Sequence, residues 1–379
     1  MVRMSSEPFG IAQANLLYKG FPDFSAWGEL TSSDIDLWNR FAVNLSQRRQ
    51  SASPEALRTG VEVAVRAAAL DTGALEGLYT VDRGFTMTVA LQSLAWEQAI
   101  EERGAGVREL FEAQLEAYEL VLDAATRNQP ISEAWIRALH EKLCAPQRTY
   151  RVLTDVGWQE QELPKGRYKT RPNHVRLSDG TFHAYAPVDQ VAEEMHRLID
   201  QIRTPEFEAA HPVLQASYCH YAFVVIHPFA DGNGRVARAL ASTFFYRAQS
   251  IPLVIFSNQR LAYLEALQAA DLGDSRAVIS FFRDRGIDTM QFVVESLSST
   301  ALSQQELEAL ADRLHREIQE NLNVRVLVTE DRTNPFAFLV EAIDSPEPPL
   351  EVRLEDVHPE LTPALKMRLA GWTQRLLSR

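Results

Sequence analysis

Cysteine is nearly missing from this chain. Only Cys144 and Cys219 occur, so neither a disulfide framework nor a four-thiolate zinc site can be built. Two buried thiols in a reducing compartment are the expectation. Long apolar runs are missing too, since none approaches the roughly 18 residues of a membrane span. Met1–Gly20 lacks the basic start and apolar stretch of a signal peptide. Basic charge is in short supply. With 38 Lys and Arg against 51 Asp and Glu, the net charge is −13, which argues against a surface made to neutralise nucleic-acid phosphates. The 17 Gly and 18 Pro follow no period, which excludes collagen-like and low-complexity chains. What is present is 379 residues, 46% hydrophobic and 23% charged, ample for two or three packed domains. A cytoplasmic protein with no membrane and no nucleic-acid partner is expected.

Helical spacing dominates the chain. Short helices are expected in the first 50 residues, around Phe24, Trp27 and Trp38. Apolar residues recur at helical spacing over Pro54–Leu75, with Gly77 placed as a C-cap. Thr86–Glu102 and Val107–Arg127 follow, and Ser132 is a good N-cap for a helix to Leu143. The character changes at Gly157–Pro187, where Val175–Ser178 and Thr181–Ala184 flank Asp179-Gly180, the sequence of a two-residue hairpin turn. Helices resume at Asp189–Arg203, His211–Ile226, Gly234–Ala248, Gln259–Ala270 and Ser275–Ser298. Gln304–Asn321 is amphipathic. Val324–Thr329, Phe336–Ile343 and Leu350–Leu354 read as short strands before a last helix near Pro363–Leu377. The expected fold is mainly α: a helical core with one β-hairpin and a small C-terminal α+β appendage. The division expected is 1–55 as an N-terminal extension, 56–300 as the main domain and 301–379 as the appendage.

One stretch carries chemistry: His227-Pro-Phe-Ala-Asp-Gly-Asn-Gly-Arg-Val-Ala-Arg238. A helix leads in and Pro228 stops it. Gly232 and Gly234 allow a tight loop and close approach to bare amides. The next helix starts at about Gly234, and its unpaired amides make an anion site. Arg235 and Arg238, at i and i+3, share a face. Asp231 is a hard oxygen donor of the kind Mg²⁺ shared with phosphates requires. His227 can take a proton near neutral pH. Together these groups describe phosphoryl or nucleotidyl transfer. Gly232-x-Gly234-x-x-Ala237 also fits a dinucleotide fingerprint. That motif needs a strand before it and an acidic residue about 20 positions on, and neither is present.

His227–Arg238 resembles the full H-P-F-x-D-G-N-G-R-x-x-R motif of Fic proteins, which transfer AMP from ATP to a hydroxyl of a target protein. The resemblance extends over roughly Gly60–Phe292 and implies the all-helical Fic core. Gly166-Arg-Tyr-Lys169 and the following hairpin resemble that family's flap, about 166–187, with Lys169 where relatives often carry Arg. By this resemblance His227 is the general base and Phe229 anchors the loop. Asp231 holds Mg²⁺, and Gly232, Asn233 and Gly234 cradle phosphate. Arg235 binds the triphosphate and Arg238 its γ-phosphate. Tyr263 either borders the nucleoside or is a helix core residue. Thr72-Gly-Ala-Leu-Glu76-Gly77 resembles the family's (S/T)-x-x-x-E-(G/N) inhibitory motif, on a helix of about 60–77. Glu76 would occupy Arg238 by a charge-assisted pair, with Thr72 on the same face.

The implied function is an autoinhibited protein adenylyltransferase using ATP and Mg²⁺, with its target docked on the flap by strand addition; the hairpin could equally just cover the core. Alternatives on the same site are AMP removal and transfer of UMP, phosphocholine or phosphate. A Fic-containing transcription regulator is the non-enzyme alternative, disfavoured by the acidic chain and the tail's lack of a helix–turn–helix pair. The sequence leaves the target and a homo-oligomeric state open.

Overall fold

The computed structural model describes residues 15–377 apart from 16, 82–84, 87–88, 91–99, 101–104, 155–156, 174, 177–181, 300–303, 323, 331–336, 344, 346–347, 354–355 and 358–360. Its longer helices are α1 (Ser32–Ser51), α2 (Pro54–Leu75), α3 (Ala105–Thr126), α4 (Glu133–Leu143), α5 (Val191–Gln201), α6 (Pro212–Ile226), α7 (Asn233–Gln249), α8 (Arg260–Asp271), α9 (Ser275–Ser299), α10 (Gln304–Leu322) and α11 (Pro363–Leu377). The fold is mainly α, with small antiparallel sheets.

Local chemistry sets the helix ends. Ser53 accepts from the Ala56 amide ahead of Pro54 at the first position of α2, a position where proline's missing donor costs nothing. At the other end Gly77 has φ +72. Its N–H reaches Ala74 O and that of Leu78 reaches Gly73 O, a Schellman closure that leaves Glu76 as the capping residue. Ser132 caps α4 through the Trp135 amide. The N-terminal segment holds one of the expected short helices, a 3-10 turn at Phe24–Ala26, and otherwise departs from them. Thr31 and Asp34 form a reciprocal capping box that starts a single 20-residue helix, α1.

Helices α6 and α7 pack on each other at the centre. Both are buried around most of their circumference; α6 is apolar on nearly all sides, whereas α7 buries polar groups as well, Asn233, Arg235 and Arg238 among them. They belong to one apolar cluster that runs from Phe21 and Trp27 through Val63, Phe111 and Leu139 to Leu297. A second cluster joins α10, α11 and a three-stranded antiparallel sheet: β5 (Val326–Glu330), β6 (Ala337–Ala342) and β7 (Leu350–Arg353).

Two hairpins stand between α4 and α5. The first, β1 (Thr149–Thr154) with β2 (Gly157–Glu162), was not expected. Strand β2 has no buried residue, so it carries no alternation to read. The second is β3 (Val175–Arg176) with β4 (Phe182–His183), paired Arg176 to Phe182. A two-residue turn at Asp179-Gly180 would pair Arg176 with His183, so the observed register is one residue off; the turn residues lie outside the described ones. The helix expected at Thr86–Glu102 also lies largely outside them.

Candidate active site

The loop between α6 and α7 is held by its own side chains. Helix α6 ends at Ile226, and His227 follows with φ 53, a left-handed conformation unusual for a residue with a Cβ. Its Nδ1 lies 3.3 Å from Val224 O. A carbonyl only accepts, so in the neutral ring this contact places the proton on Nδ1 and the lone pair on Nε2. Tyr185 stacks flat on the imidazole, with centroids 3.7 Å apart. Phe229 is fully buried and stacks on His140 at 3.8 Å.

Asn233, at the first position of α7, turns its side chain inward. It accepts from Phe229 N at 2.9 Å and donates to Phe229 O at 2.8 Å. That amide therefore staples the loop, and only the Asn233 backbone N–H belongs to the helix end. Gly232 has φ +79, and a Cβ there would stand 2.6 Å from Cys144 Sγ. Gly234 is different. It has ordinary helical angles, and what it supplies is space, because a Cβ would stand 2.2 Å from Glu76 Oε1.

The two arginines diverge from the face they share. Arg235, 1% exposed, donates to Leu143 O at 3.2 Å and Gln147 Oε1 at 2.5 Å. Its buried Nε has no partner among the described residues. Gln147 also donates to Asp231 Oδ2 at 2.6 Å, while Asp231 Oδ1 accepts from Gly232 N. A neutral amide thus bridges the carboxylate and the guanidinium. Behind it lies His140. Its Nδ1 accepts from Gly166 N at 2.9 Å, so Nε2 donates to Asp231 O at 3.0 Å. Burial pushes its pKa down to about 4 and that of neighbouring Cys144 up to about 11, leaving both uncharged.

Arg238, 2% exposed, faces α2. Its Nε donates to Thr72 Oγ1 at 2.8 Å, and Nη2 to Thr72 O at 2.9 Å and Glu76 Oε1 at 2.7 Å. Burial is the largest influence on its pKa and lowers it, but the Glu76 carboxylate, together with Tyr263 and Tyr118, more than offsets that and raises it. Glu76 is 29% exposed at its side chain. Arg260 of α8 donates to Leu75 O at 3.0 Å, bracing the end of α2. Tyr263 is buried, with its hydroxyl 3.1 Å from His220 Nε2 and its ring 5.9 Å from the Arg238 guanidinium. It is thus a core residue that also borders the site.

The structure therefore brings His227, Asp231, Gly232, Asn233, Gly234, Arg235, Arg238, Tyr263, Thr72 and Glu76 to one region. It adds Gln147, His140, Asn173 and Tyr185, which sequence reasoning missed, and gives Lys169, placed by the sequence only in the flap, a contact to the loop. His140 and Cys144 at i and i+4 were the available signal. Asp231 fits Mg²⁺ as a hard carboxylate beside an anion site, since that ion takes one or two carboxylates plus substrate phosphates. Among the described residues no cluster of three His, Cys, Asp or Glu could hold a metal by itself.

Residues 130–245, from the start of α4 through most of α7, match the Fic/DOC family. A protein adenylyltransferase Fic of Nematostella vectensis is 37% identical over 119 residues, 31% of this chain and 27% of that protein. Its counterpart in Culex quinquefasciatus is 39% identical over 111 residues, 28% of this chain and 22% of that protein. The chain thus spans about a quarter of the curated relatives it matches. The fold is shared with a Fic domain containing signaling protein from Bacteroides thetaiotaomicron. That match has a TM-score of 0.57 and 22% identity, and covers 69% of this chain and 97% of that one. Among the described residues no helix is long and apolar enough to cross a membrane.

Proposed function

We propose that this chain is a protein adenylyltransferase that moves AMP from ATP to a Ser, Thr or Tyr hydroxyl of a target protein, restrained by Glu76. The observation that carries the reading is the seat of the Glu76 carboxylate, 2.7 Å from Arg238 and pressed against Gly234 at the start of α7. A helix N-terminus with a guanidinium beside it is a site for an anion. Here the anion is supplied by the chain itself.

In this reading His227 Nε2 accepts the proton of the target hydroxyl, a step worth on the order of 10²–10⁴ in rate. The hydroxyl oxygen attacks the α-phosphorus and pyrophosphate leaves. The amides of Gly232, Asn233 and Gly234 line the phosphates. Arg235 offers a buried donor that an anion displacing Gln147 would satisfy, and Arg238 takes the γ-phosphate once Glu76 departs. Asp231 would hold Mg²⁺, which supplies charge neutralisation at the phosphates. An extended target segment would pair along the β3–β4 edge. Two free buried thiols suit a reducing cytoplasm. Residues 56–300 would form the catalytic domain, with 1–55 and 301–379 as extensions.

The test is Glu76→Gly incubated with ATP and Mg²⁺ and read by mass spectrometry. Gain of one AMP, lost again in Glu76→Gly with His227→Ala, is expected. No AMP on any protein would sink the reading, and release of AMP from a pre-modified target would turn it to the reverse reaction.

A further inference from the structure

The flap does more than stand over the loop, for its root is bonded to three consecutive carbonyls of the His227 segment. Lys169 N–H donates to Pro228 O at 2.8 Å. Asn173 Nδ2 donates to Phe229 O at 2.7 Å and, less closely, to His227 O at 3.4 Å. The orientation of that amide is fixed by Lys169 Nζ, which donates to Asn173 Oδ1 at 2.7 Å, so only Nδ2 can face the carbonyls. Lys169 is 3% exposed, and burial lowers its pKa to about 7. Further along, after β4, Tyr185 is buried and lies at 17° to the His227 ring.

The segment so held is the one with a left-handed His227. A strained backbone conformation persists only where its surroundings over-determine it. Helix α6 supplies two restraints on His227, Phe223 O accepting from its N–H and Val224 O at its Nδ1, and Asn233 of α7 staples Phe229. The flap adds the contacts to the three carbonyls and the stacked ring. The root itself is anchored on α4, where Arg137 donates to Gly166 O and Tyr168 to Glu133.

We infer that Asn173, oriented by Lys169, and Tyr185 are positioning residues for His227: the flap sets the backbone angle and ring plane of the base, so that target engagement and base geometry are one event. This rests on the reading of His227 as the base. It predicts that flap-root variants lose turnover while ATP still binds, because none of these contacts reaches the phosphate loop beyond Phe229.

The experiment uses the full chain in the Glu76→Gly background. Asn173→Asp keeps the size of the side chain and its acceptor toward Lys169 but loses both donors. ATP affinity by calorimetry is expected to stay within about twofold while kcat falls at least about tenfold. The nitrogen-15 imidazole spectrum of His227 should change from one Nδ1-protonated neutral form to a tautomer mixture. Tyr185→Ala should behave alike, and Tyr185→Phe, which keeps the stacked ring, should restore both readouts. An unaltered His227 spectrum in Asn173→Asp and Tyr185→Ala overturns the clamp whatever the transfer rate. If no variant transfers AMP, Glu76→Gly included, the base role falls, and the imidazole spectra still decide the clamp.

Discussion

The two arginines in the first turns of α7 are equally buried and three residues apart, yet their surroundings differ in kind. Arg238 meets a carboxylate, Glu76, together with the hydroxyl and carbonyl of Thr72. Among the described residues Arg235 meets only neutral acceptors, Gln147 and Leu143 O, and keeps one donor unmet. A buried charge left without a counter-charge is costly. Arg235 is thus the arm poised to accept an anion and Arg238 the arm already satisfied by one. In the proposed reading, restraint and readiness sit on opposite flanks of one helix end.

The contrast can be broken most forcefully from the Arg235 side by acid. His140 titrates at 6.5 when unfolded but near 4 in the fold. Its contribution is therefore complete above pH 6.5, lost as pH falls toward 4 and flat below, amounting to about 3 kcal/mol. Urea midpoints of the wild type and His140→Gln, followed from pH 7 to 4, should converge by that amount. Parallel curves would show that His140 does not need to stay neutral there. On the other flank, Glu76→Gly strips the buried guanidinium of its only charged partner shown here and should cost about 2 kcal/mol without nucleotide. ATP should return most of it as a rise in Tm; a variant as stable as the wild type without ATP would show the pair to be incidental.

A subtler probe of the same flank is Thr72→Val, which keeps volume and removes the hydroxyl bonded to Arg238 Nε. About 1.5 kcal/mol of stability should go, together with some of the restraint on ATP binding, both measurable by calorimetry. Smallest is Gln147→Leu on the Arg235 side. Losing a partly exposed amide should cost about 1 kcal/mol and leave the Glu76 contact untouched. If it raised ATP affinity as much as Glu76→Gly does, the neutral flank would be a second restraint and the contrast would fail.

Much of this was legible because it is local. The Ser53 and Ser132 caps, Pro54, the glycine closing α2 and the uninterrupted motif each act within a few residues. Helix α1 was legible in principle, since Trp38, Phe41, Ala42 and Leu45 keep helical spacing behind the Thr31–Asp34 box. The β1–β2 ribbon was not, because Gly157-Trp-Gln-Glu-Gln-Glu162 buries no residue and so shows no alternation. The partners of the site were hidden for another reason. Gln147 meets Asp231 across 84 positions, His140 across 91, and Asn173 meets Phe229 across 56. No spacing rule reaches so far. Nor could the sequence separate the two glycines, one chosen for its backbone angle and the other for the room it leaves a carboxylate.

The Schellman closure of α2 has a consequence for the resting protein. The Glu76 carboxylate, the block in the proposed reading, belongs to a terminal turn, fastened by two amides and the Arg260 brace, and helix termini are where chains open most readily. Idle leakage would then follow how often that one turn comes undone. Since such openings multiply with warmth, the molecule would stay quiet when cool and leak when hot, a thermal bias that needs no effector at all.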